Sequence, residues 1–292
     1  MYSTSDLRFI SFLKILAYFA VSILLLFFFT LLFHSWPTIS QLGFSFFTSS
    51  IWDPMHSSFS ALPFLLGTFV TSLVALCMAM PIAFSFACVL GFFLKRGFLY
   101  QFLSLCLEIL SGIPSVIYGF WALYVLVPLV RQFALVVDAL PYGVSVLTAS
   151  LVLAVMIIPY AASLSREMIA LVPNELKEAA IALGATPSEV LFHVVIPYAR
   201  SGLFSGMLLS LSRALGETMA VTMVIGNANR FFTSLFEPGN TIASLLANEF
   251  AEASSDFYIS ALLELGLILF VVSVFVNIAG QFICSKLRID KL

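Results

Sequence analysis

The chain has 292 residues, 61% of them hydrophobic and 10% charged, with a net charge of -2 and a mean hydropathy of +1.10. Those values exclude a soluble globular domain and define a polytopic, all-α membrane protein. The few basic residues leave no stripe that could track a nucleic-acid backbone.

Arg8 and Lys14 precede the run ILAYFAVSILLLFFFTLLF, which matches the ~20 apolar residues needed to cross a bilayer. His34, Ser35 and Trp36 follow where a cleavage site would need small residues. The run therefore reads as a retained signal anchor. Residues 34–60 are aromatic and Ser/Thr-rich without Lys or Arg, which predicts an outer interfacial segment. Residues 1–60 form one unit on this reading, and 61–285 form the main transmembrane domain.

Pro63 to Leu94 is a second span, closed by Lys95 and Arg96. Phe98 to Val130 is a third, long enough to tilt or break, with GIPS at 112–115 as a distortion point. Pro141 to about Ser165 is the fourth and Ser201 to Ile225 the fifth. Residues 227–256 form the longest outer loop, in which TIASLLANEF reads as a short helix lying at the membrane surface. Phe257 to Cys284 is the sixth span, and a basic tail, 286–292, follows.

Of the 13 Lys and Arg residues, Arg8, Lys14, Lys95, Arg96, Arg166, Lys177, Arg200, Lys286, Arg288 and Lys291 fall on one side. Arg131 and Arg230 fall on the other, and Arg213 falls within the membrane. This asymmetry predicts that both termini are cytoplasmic. Cys77, Cys88, Cys106 and Cys284 lie in or beside apolar runs without CxxC spacing or a nearby histidine, so no disulfide or metal site is expected.

The segment 173–200, PNELKEAAIALGATPSEVLFHVVIPYAR, is the long polar interruption on the cytoplasmic side. Helix formers run from Glu175 to Leu183, and Gly184 stands where a left-handed cap is wanted. Thr186, Pro187 and Glu189 supply a capping residue, a first-turn proline and a returning carboxylate. The prediction is helix, glycine hinge, helix, with Pro197 breaking the second helix.

Glu178, Ala179, Ala180, Gly184, Val194, Ile196 and Pro197 fill a fixed pattern that resembles the EAA loop of ABC importer permeases. The departures are Val194 and Ile196 where Ile and Leu are usual, and both keep shape and polarity. The resemblance implies a six-helix type I importer permease bundle whose loop seats in a groove of a cytoplasmic ATPase.

SRALGETMAVTMVIGN (212–227), EILSGIPSVIYGFWALYVLVP (108–128) and IPYAASLSREMIALVP (158–173) extend the likeness. With the loop they resemble the phosphate-specific importer permeases, and the RALGETMAV wording is similar to the PstC-type rather than the PstA-type subunit. The resemblance spans residues 61–285. It implies a phosphate pathway in the bacterial inner membrane, a second permease subunit of the PstA type, a PstB-type ATPase dimer and a periplasmic PstS-type phosphate-binding protein. ATP and magnesium would belong to the ATPase, because this chain has no GxxxxGK[ST] and no catalytic or metal-binding constellation. The outer loop, with Glu237, Glu249, Glu252 and Asp256, would help dock the binding protein.

Arg213 lies about 12 residues into the fifth span, near the midplane, where a charge costs at least a few kcal/mol unless paired or hydrated. Glu217 is four residues on, which predicts the same helix face, and Gly216 would thin that face. Arg213 is expected to be the cationic station on the anion path, with Glu217 holding the guanidinium when the path is empty; a structural ion pair is the alternative. Glu108 could line the path or serve packing, and Glu264 reads as interfacial. A permease for another oxyanion, such as sulfate, molybdate or phosphonate, would share these features. A channel or secondary transporter could own the buried charges but not the EAA loop.

Overall fold

Hydrocarbon offers the backbone no hydrogen-bond partner, so a chain this apolar closes its bonds within helices. The computed structural model describes residues 4–94 and 96–287, and regular structure among them is helical apart from one bridge between Asp53 and Ser58. Lys95, Arg288 and Lys291, three of the charges that set the predicted orientation, lie outside the described residues, as does most of the predicted tail.

The helices are α1 (Thr4–Leu42), α2 (Ser45–Thr48), α3 (Leu62–Cys88), α4 (Phe98–Gly112), α5 (Ser115–Tyr124), α6 (Leu126–Val136) and α7 (Val146–Ala170). They continue as α8 (Asn174–Ala182), α9 (Pro187–Val190), α10 (Ile196–Leu215), α11 (Met219–Val224), α12 (Ile242–Glu249) and α13 (Asp256–Leu287). Among the described residues, five stretches are long and apolar enough to cross a membrane, or six when the bent pair α4 and α5 is taken as one span.

At the centre, α3 and α7 lie together with α5, α10 and α11 around them. Ala75, Ala79, Ala149 and Ala220 are buried there with Leu153, Ile157 and Val224. Small side chains let helix backbones approach where lipid gives no hydrophobic drive for association.

α1 packs antiparallel on α13. Thr38 Oγ1 donates to Ser260 Oγ at 2.7 Å, and Phe28 meets Phe270 with centroids 6.0 Å apart. The start of α1 and the end of α13 therefore lie at one end of the bundle, and Arg200 Nε, donating to the Leu287 carbonyl at 3.0 Å, puts the start of α10 there too.

Two expectations for the outer side are corrected. The helix of the first span runs on to Leu42, past the predicted outer boundary near His34, because Ser35 and Thr38 are buried against α13 and Thr38 finds Ser260. Residues 43–60 are more than an interfacial strip. Phe46, Trp52 and Phe59 are buried with Phe64, Ile242, Leu245, Tyr258 and Leu262, which makes an outer core.

The helix α12 packs into the same core, with Ile242, Ala243, Ser244 and Leu245 buried. Glu249 at its end accepts from Trp52 Nε1 at 2.8 Å, Tyr258 Oη at 2.5 Å and Asn229 Nδ2 at 2.6 Å. One carboxylate thus ties three chain segments, and it is not an outward docking charge. Glu237 is also occupied: Thr233 donates its N–H and its hydroxyl to the carboxylate, which holds it below the usual carboxylate range.

Glu249→Ala leaves the buried donors of Trp52 and Tyr258 and the half-buried Asn229 without their acceptor, and orphaned donors are costly. The expected loss is about 2–4 kcal/mol, read as a lowered melting temperature in detergent together with a red shift of Trp52 emission. Unchanged melting would show that the carboxylate does not hold these segments.

Candidate functional site

The predicted hinge is present in full. α8 ends in a left-handed glycine: Gly184 has φ +88°, its N–H meets the Ile181 carbonyl at 2.9 Å, and Ala185 N–H meets the Ala180 carbonyl at 3.1 Å. These are the two bonds of the glycine C-cap motif. Thr186 then starts α9 with a reciprocal capping box, its N–H donating to Glu189 Oε2 at 2.8 Å while its hydroxyl accepts from Glu189 N–H.

The predicted break at Pro197 is not observed. Leu191–Val195 form a π-turn that closes with Ile196 N–H on the Leu191 carbonyl, and Pro197 sits in the first turn of α10. A wide turn followed by a first-turn proline needs no N–H from the ring, so the helix passes through unbroken. Residues Pro187–Leu215 consequently form one 29-residue helical rod.

Glu178, Ala179 and Gly184 are exposed on this hairpin, Ala180, Val194, Ile196 and Pro197 are half-buried, and Leu183 at its tip is 90% exposed. Val190, Leu191 and Val195 turn inward against Ala87, Ile169 and Val172. The hairpin is therefore anchored on one side, with a protruding apolar tip.

No atom lies within 4 Å of a Cβ placed on Gly184, so only its positive φ is demanding. Gly184→Val is expected to abolish transport while membrane insertion stays normal, since a β-branched residue is strained there. Gly184→Asn, which tolerates that conformation, should retain most transport. Normal uptake with Val, measured per inserted molecule, would refute this.

The far end of the rod carries Arg213 in its last turn. Ser212 Oγ donates to Asn277 Oδ1 at 3.0 Å, which puts Arg213 level with that part of α13. At ~1.5 Å per residue this is roughly 17 Å from Leu287 and 30 Å from Asp256, inside the hydrocarbon layer. The guanidinium lies over the Tyr160 ring, 5.4 Å from its centroid, and Tyr118 is buried in one cluster with the neighbouring Ala214.

Glu217 does not share a helix face with Arg213, contrary to expectation. α10 ends at Leu215, residues 216–218 are irregular, and Glu217 Oε1 instead accepts from Ala220 N–H at 3.3 Å at the start of α11. The pair is not an ion pair. A glycine followed by a residue able to cap the next helix offers the backbone an alternative to continuing the turn. Gly216 provides no close approach; a Cβ there would meet nothing nearer than its own helix at 3.8 Å.

Glu108 is exposed in α4, one turn before a second break. α4 and α5 meet at 95° across Ile113 and Pro114, and Tyr118 Oη donates to the Leu110 carbonyl at 2.7 Å to pin that elbow. Arg166 Nη1 donates to Ser104 Oγ at 2.8 Å and aligns α4 against α7. Gly119 lets α5 settle on α11, since a Cβ there would stand 3.0 Å from Ala220 Cα. Two interrupted spans thus pack together through α5 and α11, with Arg213 and Glu217 flanking one break and Glu108 one turn before the other.

Tyr118 and Tyr160 were not legible as site residues. Neither has a spacing relation to Arg213, and only the packing of α7 against α10, and of α5 against α7 and α11, brings them to that region.

Glu264, read as interfacial, is buried within the protein, 3% exposed on α13.

A helical bundle with an anchored hairpin at one end and two spans broken around a cation at mid-membrane defines a membrane permease subunit. The model of the binding-protein-dependent transport system inner membrane component matches residues 79–289, and the chain belongs to that family. It is therefore a multi-pass inner membrane protein and one subunit of an ABC transport system. The chain is 41% identical over 268 residues to the phosphate transport system permease protein PstC of Mesorhizobium japonicum, covering 87% of this chain and 82% of that one. It is 42% identical over 277 residues to its counterpart in Haemophilus influenzae, covering 90% and 87%. In fold it matches a chain of the inward-facing MetNI methionine ABC transporter with a TM-score of 0.62, over 82% of this chain and 100% of that chain, at 18% identity.

Proposed function

We propose that the chain is the PstC-type permease subunit of an ATP-driven importer of inorganic phosphate and forms half of the transmembrane pathway. Arg213 carries the reading: a guanidinium at mid-membrane, held over Tyr160 without an ion pair to Glu217, at the broken end of a span. Non-helical backbone at that depth is tolerated where it is buried in protein or lines a water-filled cavity, and an unpaired guanidinium at the break supports the second case. The planar fork of Arg213 fits two oxygens of an oxyanion.

Glu217 gives the selectivity. Phosphate at neutral pH still carries a proton that a carboxylate can accept, whereas sulfate carries none and meets repulsion. Glu108, on the opposing broken span, borders the same path.

Both termini and the 173–200 hairpin face the cytoplasm on this reading, which the excess of basic residues on that side supports. The exposed tip around Leu183 seats in one copy of a PstB-type ATPase dimer, which binds ATP and magnesium and performs the hydrolysis. A PstA-type subunit completes the pathway, and a PstS-type phosphate-binding protein delivers substrate to the outer face. Because the rod from Pro187 to Leu215 is continuous, a tilt imposed on the hairpin moves Arg213 directly.

Uptake of radiolabelled phosphate and sulfate, in cells lacking this chain and in cells where it is restored, tests the reading. Phosphate uptake should fall on deletion and return on restoration while sulfate uptake is unchanged. Loss of sulfate uptake instead would assign the pathway to another oxyanion.

A further inference from the structure

A further membrane-embedded carboxyl lies away from the pathway. Glu264 is 3% exposed, and its Oε2 has no hydrogen-bond partner. It borders a groove of about 620 Å³ whose other walls are apolar, among them Ile39 of α1, Leu65 and Phe69 of α3, and Leu267 and Val271 of α13.

Gly43 and the rings of Phe44 and Phe47 form the mouth of this groove. Phe44 is 89% exposed, and Phe47 and Val271 are also exposed, so the groove is continuous with apolar outer surface. It is bounded by helices other than α4 and α10, which carry Glu108 and Arg213.

Depth and chemistry select the occupant. At ~1.5 Å per residue Glu264 is roughly 12 Å from the outer end of α13, a helix longer than the ~30 Å hydrocarbon layer by about 18 Å. If the excess is shared between the ends, the carboxyl sits where outer-leaflet headgroups give way to acyl chains. An unpaired carboxyl oxygen is an acceptor, and leaving it dry is costly. A primary ammonium is the lipid donor of complementary charge, whereas a quaternary ammonium has no N–H and an anionic headgroup brings like charge.

We propose that this groove binds one outer-leaflet phospholipid with a primary-amine headgroup, its ammonium donating to Glu264 and an acyl chain lying along Leu267–Val272.

The transporter complex, purified in mild detergent and offered equal amounts of phosphatidylethanolamine and phosphatidylcholine of matched chains, tests this by native mass spectrometry. Wild type should retain the ethanolamine lipid at least fivefold over the choline lipid, and Glu264→Leu should bring the ratio to about one. If the Leu variant fails to assemble, Glu264→Gln, which keeps the shape without the charge, should lower the ratio at least twofold. Equal retention by wild type, no retained lipid, or an unchanged ratio in the variants would overturn the proposal. So would a photo-crosslinking residue at Phe69 that reacts with a second permease subunit in place of lipid.

Discussion

Arg213→Lys is expected to lower phosphate uptake by about ten- to a hundredfold while leaving assembly with the ATPase intact. Lysine keeps the charge and can still lie over the Tyr160 ring, so a purely structural cation would survive the exchange. It loses the planar fork that holds two oxygens at once, and a charge-assisted hydrogen bond is worth about 1.5–3 kcal/mol.

The geometry sharpens the choice between pathway and packing. Since Glu217 caps α11 and does not pair with Arg213, exchanging the two residues has no bridge to restore. The double variant Arg213→Met with Glu217→Gln should insert and assemble but transport no better than background. Glu217→Gln alone should narrow the preference for phosphate over sulfate. Near wild-type uptake by the double variant, normalised to inserted protein with ATPase bound, would reduce both residues to scaffolding.

The largest effect on folding is expected from Gly67→Ala. A Cβ at Gly67 would stand 1.9 Å from the Asn240 carbonyl oxygen and 3.0 Å from its carbon. Those are backbone atoms, which cannot rotate away as a flexible side chain would. They are also fixed from the next residues, because Ile242 N–H donates to Thr68 Oγ1 at 3.1 Å and Thr241 caps α12.

Relief therefore requires α3 and α12 to separate, which opens the outer core around Phe64, Ile242 and Leu245. The cost should reach or exceed the upper end of the ~1–3 kcal/mol typical of overpacking. Gly112→Ala is the matched control, since nothing lies within 4 Å of its added Cβ. Melting in detergent and proteolysis of the 227–256 loop from outside should both report a large effect at Gly67 and almost none at Gly112. Equal behaviour of the two variants would show that this contact yields easily.

What the sequence by itself determined was whatever depends on hydropathy, local backbone chemistry and short spacing. The long apolar runs define the spans because backbone groups in lipid must be satisfied within a helix. The hinge at 184–189 was legible residue by residue, since a glycine cap, a capping threonine, a first-turn proline and a returning carboxylate each act within one turn. The distortion at GIPS was legible for the same local reason.

Tertiary structure decided the rest, wherever a residue's partner lies far away in the chain. Pro197 looked like a stop, but a π-turn anchored by Leu191 and Val195 against α7 carries the helix through. Arg213 and Glu217 looked like a helical pair, but the carboxylate serves the next helix while the guanidinium lies over Tyr160, 53 positions earlier in the numbering. Glu249 looked like an outward charge until Trp52, Tyr258 and Asn229 converged on it. Periodicity says which side of a helix is apolar; only packing says whether that side meets lipid, another helix or the path of a charged solute.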